Sequence, residues 1–350
     1  MVDKYKVITP FGMNIELTSI LILLLVCSIL LLALDAIVGG LIAFAFRLSF
    51  GKIFRWGLLS LFVPVICILY GFLIERNSFM VKEVELSFSN LPEAFDGYRV
   101  VQLSDIHSRS FRGRPDALGK AVDKVNALDA DIIAFTGDVI TMTPDELDVT
   151  GPILASLRAK DGILSILGNH DYGVYAKPGA GQVKAPDCSR EVAQREEAIG
   201  WDILLDESRI IRRGEDSLAF IGVENTTPSP HFESRGNLAE ASEGADGLFR
   251  ILLSHDPMHW EMEVKGNGYP LMLAGHTHAA QFSIFGWCPS KWLFKQYRGL
   301  YGGMDEYLYV NVGLGETIVP VRVGAKPEIT LITLKRNNAA SPSSSPYSAD

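Results

Sequence analysis

The sequence predicts an α/β protein in which a largely parallel sheet, covered by helices, follows an apolar N-terminal region. Three observations predict this organisation. The first 78 residues contain two long uncharged runs, the chain beyond them alternates short apolar strands with helical patterns, and five polar segments each directly follow one of those strands. Near-continuous apolar strands separated by helices are typical of parallel sheets whose two faces are both buried.

The two uncharged runs are residues 17–34 and 57–74, each of 18 residues. As helices they would span roughly 27 Å, close to the thickness of the hydrocarbon core of a bilayer. We therefore expect residues 1–78 to form a membrane anchor with two transmembrane helices. The alternative for the first run is a cleaved signal peptide, although secretory apolar cores are only about 7–15 residues long. The alternative for the second run is a buried core helix.

Two features of this anchor stay open. Residues 36–46 are apolar but short, so they could extend the first helix past Asp35, form a hairpin or lie in the membrane interface. Basic residues in the loop between the runs would by themselves place that loop in the cytoplasm, but four basic residues on the other side balance them. The side of the membrane on which the rest of the chain lies is therefore undecided.

Composition limits the possible partners and the possible kinds of metal site. The formal net charge is −9, which disfavours nucleic acid because affinity for it depends on neutralising phosphates. The four cysteines form no CxxC pair, so neither a disulfide framework nor a thiolate zinc site is indicated. Residues 337–350 are rich in Ser, Pro and Ala and predict a disordered tail. Residues 79–336 remain as the candidate catalytic domain.

Within this domain the first predicted elements alternate regularly. Strands are expected over residues 99–104, 131–136 and 162–167, with helices at about 115–128 and 144–160 between them. Fewer helices separate the later strands, so we expect the sheet to become mixed or antiparallel there. Those later strands are predicted at residues 217–223, 250–253, 271–274, 307–311 and 328–334.

Five of the seven histidines fall in the polar segments that follow predicted strands. Functional groups in α/β sheets collect just past the carboxyl ends of strands, so these segments can converge although they are far apart in sequence. The alternative is that they only cap the strand ends. The segments are Ser104-Asp105-Ile106-His107, Gly137-Asp138, Gly168-Asn169-His170-Asp171, Ser254-His255-Asp256 and Gly275-His276-Thr277-His278.

The residue types in these segments suit divalent cations. Carboxylate, imidazole and amide donors without a thiolate favour manganese, iron or zinc. Seven side chains are too many for one catalytic zinc that keeps an open position, whereas two ions sharing a carboxylate account for the number. Two ions about 3.5–4 Å apart are the arrangement that supports displacement at phosphorus. The candidate ligands are Asp105, His107, Asp138, Asn169, His255, His276 and His278.

The order DxH, GD, GNH[D/E], H and GHxH over residues 84–335 resembles the calcineurin-like metallophosphoesterases. The resemblance implies a four-layer α/β/β/α sandwich of two packed mixed sheets. It implies one ion held by Asp105, His107 and His278, a second held by Asn169, His255 and His276, and Asp138 as the bridge. It also implies that His170 is catalytic rather than a ligand, and that Asp171 orients His170 through a hydrogen bond.

The membrane runs, together with LPEAFDGYRVVQLSDIH, TGDVI and GLYGG…LYVNVGLGETIVPVRVG, are similar to a bacterial membrane-bound subgroup. It is related to exported cell-envelope phosphodiesterases and to UDP-2,3-diacylglucosamine diphosphatases. This resemblance implies an integral protein of the bacterial inner membrane. The expected substrate is a phosphodiester or pyrophosphate of a lipid or cell-envelope precursor.

The expected mechanism is attack on phosphorus by a hydroxide bridging two ions, of which manganese is favoured and iron or zinc are alternatives, with His170 as general acid. Residues 281–301, rich in aromatic and basic side chains, would suit a phosphorylated lipid, unless the aromatics face the core. The sequence also leaves open broad activity on soluble phosphoesters, a non-catalytic metal-binding membrane protein, and a transporter or receptor with a regulatory domain.

Overall fold

The computed structural model describes residues 15–175 and 185–337, with side chains placed over residues 17–175 and 187–337. The predicted tail, residues 337–350, lies outside this described part except for Asn337. The chain divides into two compact units. One consists of Met1–Ser78 together with Thr317–Gly324, and the other of Phe79–Glu316 together with Ala325–Asp350.

The first unit is helical. Helix α1 spans Ile15–Phe46, so residues 36–46 extend the first apolar helix past Asp35. After a short turn come α2 (Phe50–Gly57), a 3₁₀ turn and α3 (Phe62–Leu73). The two stretches Leu17–Phe46 and Phe50–Asn77 are both long and apolar enough to cross a membrane.

A polar contact lies inside this apolar unit. The hydroxyl of Ser60 donates a hydrogen bond of 2.6 Å to the Asp35 carboxylate, which satisfies an acid that apolar surroundings would otherwise penalise. A β-carbon at Gly57 would lie 3.2 Å from the β-carbon of Asp35, so the glycine leaves room for this approach.

The second unit contains two six-stranded sheets. Numbered along the described chain, the strands are β1 (Met80–Phe88), β2 (Arg99–Leu103), β3 (Ile132–Phe135), β4 (Ile163–Ser165), β5 (Asp202–Ile203), β6 (Glu207–Arg213), β7 (Asp216–Gly222), β8 (Phe249–Leu253), β9 (Leu271–Ala274), β10 (Gly299–Gly303), β11 (Glu306–Val310) and β12 (Glu328–Arg336). In the first sheet the order is β1-β12-β2-β3-β4-β5, with only the β12–β2 pair antiparallel. In the second sheet the order is β10-β11-β9-β8-β7-β6, with antiparallel pairs only at its two edges.

Alternate residues of each strand are buried on opposite faces. In β2, Val100 packs in the core between the two sheets, whereas Val101 packs against the helices that cover the first sheet. Those helices are α4 (Pro115–Asn126), α5 (Leu147–Leu154) and α6 (Ala185–Ala198). The short helix α7 (Leu238–Ala241) and a π-helical turn at Trp260–Val264 cover the second sheet. The layers are therefore helix, sheet, sheet and helix, and the predicted α/β sandwich of two mixed sheets is confirmed.

A buried acid joins α6 to the first sheet. The Glu196 carboxylate accepts a hydrogen bond of 2.5 Å from the Ser165 hydroxyl at the end of β4. Burial raises the pKa of Glu196 well above its ordinary value, and the negative charge of Asp171 adds to the shift. The folded chain thus favours the neutral carboxyl at this position.

Replacing Glu196 by Gln should stabilise the protein increasingly as pH rises. Above the ordinary glutamate pKa of about 4.3 the unfolded chain loses the proton that the folded chain keeps. The free energy of unfolding of the wild type should then fall by at most about 1.4 kcal/mol per pH unit relative to Glu196→Gln. Thermal unfolding in detergent between pH 5 and pH 8 measures this difference. The control is Glu197→Gln, at an exposed neighbouring position. A pH-independent difference would contradict the shifted pKa.

Candidate active site

The five predicted segments converge at one edge of the sandwich. Three follow β2, β3 and β4 of the first sheet, and two follow β8 and β9 of the second. Each set of strands is parallel, so their carboxyl ends lie at a common edge. Donor atoms from both sheets therefore meet in one cluster.

A first group of donor atoms comes from Asp105, His107 and His278, all of them buried. The Nε2 atoms of the two histidines are 2.9 Å apart, and Nε2 of His278 is 3.2 Å from Oδ1 of Asp105. These side chains were predicted to hold the first ion.

A second group surrounds His255. Its Nε2 lies 3.2 Å from Oδ2 of Asp138, 3.1 Å from Oδ1 of Asn169 and 3.2 Å from Nδ1 of His276. Oδ2 of Asp138 is also 3.7 Å from Nε2 of His107 in the first group. The Asp138 carboxylate thus lies between the groups, where a bridging ligand would be needed.

The donor set fits two divalent cations. Bonds of about 2.1 Å at right angles hold neighbouring ligand atoms about 3.0 Å apart. The closest separations within the two groups, 2.9–3.2 Å, match this spacing. The donor atoms of His170 also lie within 4.8 Å of those of His107 and Asp138, so the exclusion of His170 from the ligand set stays a prediction.

The backbone at the cluster is strained. Five predicted ligands have positive φ angles of 46–73°, a region that residues other than glycine seldom occupy. Such conformations cost about 1–3 kcal/mol each and are typical of functional sites. They turn consecutive side chains towards a common centre and show that the packed strands hold these loops firmly. The five ligands are Asp105, His107, Asp138, His276 and His278.

Backbone carbonyls orient two of the imidazoles. Nδ1 of His255 lies 2.7 Å from the carbonyl oxygen of Thr136, and Nδ1 of His107 lies 3.2 Å from that of Ile140. A carbonyl oxygen only accepts, so each Nδ1 carries a proton and Nε2 is the ring nitrogen that can bind a cation.

The shifted pKa values of Asp105 and His255 show that the buried carboxylates of the cluster strongly favour neighbouring positive charge. Burial opposes ionisation of Asp105, but the charges of His278 and His255 outweigh it and hold the pKa of Asp105 well below its usual value. Burial likewise favours a neutral His255, yet the Asp138 carboxylate raises the pKa of His255 to about 10. A cation bound at His255 must displace this proton, so metal binding should release protons and strengthen as pH rises.

The predicted hydrogen bond between Asp171 and His170 is wrong. Nδ1 of His170 instead lies 2.8 Å from the carbonyl oxygen of Thr141. The buried Asp171 carboxylate accepts backbone N–H bonds from Gly168, Asp138 and Ile140, at 2.9, 2.8 and 3.1 Å. Burial and the neighbouring Asp138 raise the pKa of Asp171 to about 8. Asp171 therefore positions the loops that carry the site.

Aromatic rings outside the five polar segments surround the two partly exposed histidines. The Tyr175 ring stacks on His170 with centroids 4.4 Å apart. The His276 ring packs edge to face on Phe294 and Phe232, with ring centroids 5.6 Å and 6.1 Å apart, respectively. Phe232 and Phe294 are distant from His276 in sequence, whereas Tyr175 follows His170 closely, and only the aromatic composition of residues 281–301 signalled any of these contacts.

Gly313 is a further residue of the site that lies outside the ligand motifs. It has a φ of +78°, and a β-carbon there would lie 2.6 Å from the β-carbon of Asp105 and 3.3 Å from Nδ1 of His278. A side chain at this position would displace both predicted ligands. Its only signal in the sequence is the segment GLGET, which belongs to the subgroup resemblance.

Comparisons with known proteins agree with this geometry. Residues 98–280 match the family model described as calcineurin-like phosphoesterase. The chain is 34% identical over 279 residues to the uncharacterized metallophosphoesterase YkuE of Bacillus subtilis, covering 77% of this chain and 91% of that protein. It is 27% identical over 293 residues to a transmembrane protein with metallophosphoesterase domain from Danio rerio, covering 81% of this chain and 63% of that one.

A shorter match links the chain to an enzyme with a named substrate. Over 94 residues it is 42% identical to the UDP-2,3-diacylglucosamine pyrophosphatase LpxG of Chlamydia trachomatis, covering 25% of this chain and 27% of that protein.

The chain belongs to the calcineurin-like metallophosphoesterase family. It is thus a metal-dependent hydrolase of phosphoric esters, and divalent metal ions are its cofactors. Its apolar helices and its transmembrane relative indicate association with a membrane.

Replacing Asp138 by Ala should reduce the metal content from two ions per chain to at most one. The variant removes the carboxylate that lies between both donor groups, and turnover should fall with the loss of the second ion. Elemental analysis after equilibration with excess manganese and removal of unbound metal measures the content, with the exposed Asp246→Ala as control. Wild-type turnover of Asp138→Ala under metal limitation would overturn the two-ion assignment.

Proposed function

We propose that the chain hydrolyses a phosphodiester or pyrophosphate bond in a lipid or cell-envelope precursor at a membrane. The observation that carries the chemistry is the pair of donor groups sharing Asp138, next to the partly exposed His170. Carboxylates at the centre of this cluster would repel a phosphate unless cations neutralised them.

Asp105, His107 and His278 would hold one cation, and Asn169, His255 and His276 the other, with Asp138 shared. When bound, such a pair polarises phosphoryl oxygens and makes water acidic enough to supply a hydroxide nucleophile near neutral pH. We propose manganese for both positions, with iron or zinc as alternatives that the same oxygen and imidazole donors accept.

His170 would serve as the general acid. Nδ1 of His170 donates a hydrogen bond of 2.8 Å to the Thr141 carbonyl oxygen. Nε2 is therefore the nitrogen that can give a proton to the departing oxygen. The stacked Tyr175 ring restricts rotation of the imidazole. His170 is more exposed than the buried Asp105, His107 and His255, as expected for a group that must reach a substrate.

Two observations support a lipid or envelope substrate. The chain carries two helices apolar enough to cross a membrane, and we propose that residues 1–78 anchor the catalytic domain, residues 79–336, in a bacterial inner membrane. The relative named as a UDP-2,3-diacylglucosamine pyrophosphatase acts, by its name, on a diacylated sugar joined to a nucleotide.

Replacing His170 by Asn should lower kcat by about 10²–10⁴-fold on a phosphodiester with an alkyl leaving group. The loss should be much smaller with p-nitrophenyl esters, because nitrophenolate departs without a proton. Metal content should stay at the wild-type value, and the exposed His231→Asn serves as control. Equal losses on both esters, or loss of an ion, would show that His170 is not the general acid.

The substrate class can be tested with pairs of compounds that share one phosphate linkage and differ only in acyl chains. The full-length protein in detergent with manganese should show a kcat/KM at least about tenfold higher on the acylated members, because differential binding of the apolar part supplies the gain. Asp138→Ala corrects for contaminating hydrolases. Equal kcat/KM on acylated and deacylated members would replace the lipid proposal by broad activity on soluble phosphoesters.

A further inference from the structure

The segment from Phe282 to Phe294, here called the aromatic loop, exposes large apolar side chains in the second unit. Phe285 is fully exposed, Trp292 and Leu293 are 74% and 76% exposed, and Trp287 is 46% exposed. Contiguous exposed apolar surface of this kind on a folded domain marks an interaction site. The alternative that the aromatic side chains of residues 281–301 face the core is therefore wrong for the tip of the loop.

Internal contacts hold the aromatic loop in shape. Ile284 and Trp287 exchange two backbone hydrogen bonds of 2.9 Å, and the Trp287 ring packs edge to face on Phe282 and Trp292. Cys288, in the middle of the loop, is buried, and its Sγ lies 3.0 Å from the carbonyl oxygen of Ala279. The small residue points inward while the rings point to solvent, so the exposure belongs to an ordered surface.

The charge around the aromatic loop is opposite to that of the chain. Residues 281–304 contain three cations and no acid, whereas the whole chain has a net charge of −9. Lys295 pairs with Glu261 at 2.9 Å, and Arg298 donates to the Ser283 hydroxyl. Lys291 is exposed beside Trp292 and forms no ion pair with any residue that the structure describes.

We propose that the aromatic loop inserts into the interfacial layer of a lipid bilayer that contains anionic lipids. Tryptophan favours that layer because its ring is apolar and its N–H is polar. A lysine among such rings is attracted to anionic head groups. A second copy of the chain is acidic and could attract the exposed lysine, but it would offer less apolar surface to the exposed rings. A bilayer with anionic lipids accommodates both the rings and the lysine.

The aromatic loop also reaches the candidate active site. Phe294 at its inner end contacts the His276 ring edge to face at 5.6 Å. Insertion of the tip would therefore hold the metal cluster beside the head-group layer, where phosphate groups of lipids lie. Contact of the aromatic loop with the bilayer does not depend on which phosphoester is cleaved.

Quenching of tryptophan emission by brominated lipids tests the proposal in the full-length protein. The test variant contains Trp56→Phe, which removes the exposed tryptophan of the first unit. It is placed in nanodiscs of phosphatidylcholine with phosphatidylglycerol. Two other tryptophans, Trp201 and Trp260, are buried. Brominated phosphatidylcholine should lower the emission, and the additional Trp287→Phe and Trp292→Phe substitutions should abolish that loss.

The matched control places a tryptophan at Met304, which is 99% exposed in the same unit but outside the aromatic loop. Met304→Trp, in the protein lacking both loop tryptophans, should show no bromine-dependent loss of emission.

Lys291→Glu should reduce quenching in discs containing phosphatidylglycerol. Equal unfolding midpoints exclude misfolded variants. No quenching of the loop tryptophans, or equal quenching of Met304→Trp, would overturn the proposal. Because turnover is not measured, this result is independent of the proposed substrate.

Discussion

The buried carboxylate of Asp171 is the contact on which the geometry of the site depends. It accepts N–H groups from Gly168, Asp138 and Ile140, and so ties the loops after β3 and β4 together. The strained backbone of Asp138 can persist because this acceptor and the surrounding strands over-determine it. Without such bonds, buried N–H groups would each cost about 1–3 kcal/mol, and the donor atoms would lose their common centre.

Much of the fold and of the donor cluster could be predicted from the sequence, because both depend on short local patterns. In β2, the strand before Asp105, every buried residue except Gln102 is apolar. A polar segment follows at the carboxyl end of this strand. The edge strand β6 was missed, since Glu207–Arg213 contains four charged residues and only two apolar ones, Ile210 and Ile211, and lies at the exposed edge of the second sheet. Strand β1 is similarly rich in charge and was also missed.

Contacts between distant segments could not be predicted in this way. The Asp171 side chain follows His170 directly, so a hydrogen bond between them was plausible from sequence alone. The fold turns Asp171 inward to three amides and leaves the Thr141 carbonyl to receive the His170 proton. The rings of Phe232 and Phe294 contact His276 from segments that no local pattern relates to it.

The segment Thr317–Gly324 belongs to the same compact unit as the apolar helices and packs against α3. A β-carbon at Gly71 of α3 would meet the backbone oxygen of Arg322 at 2.5 Å, and Arg76 donates a hydrogen bond of 3.0 Å to the Pro320 carbonyl oxygen. Truncating the chain before β1 would remove these partners and uncover Val321, together with the fully buried Arg322. The helices are therefore part of the folding unit of a C-terminal segment, and a shortened, secreted or recombinant form would need a replacement for that packing surface.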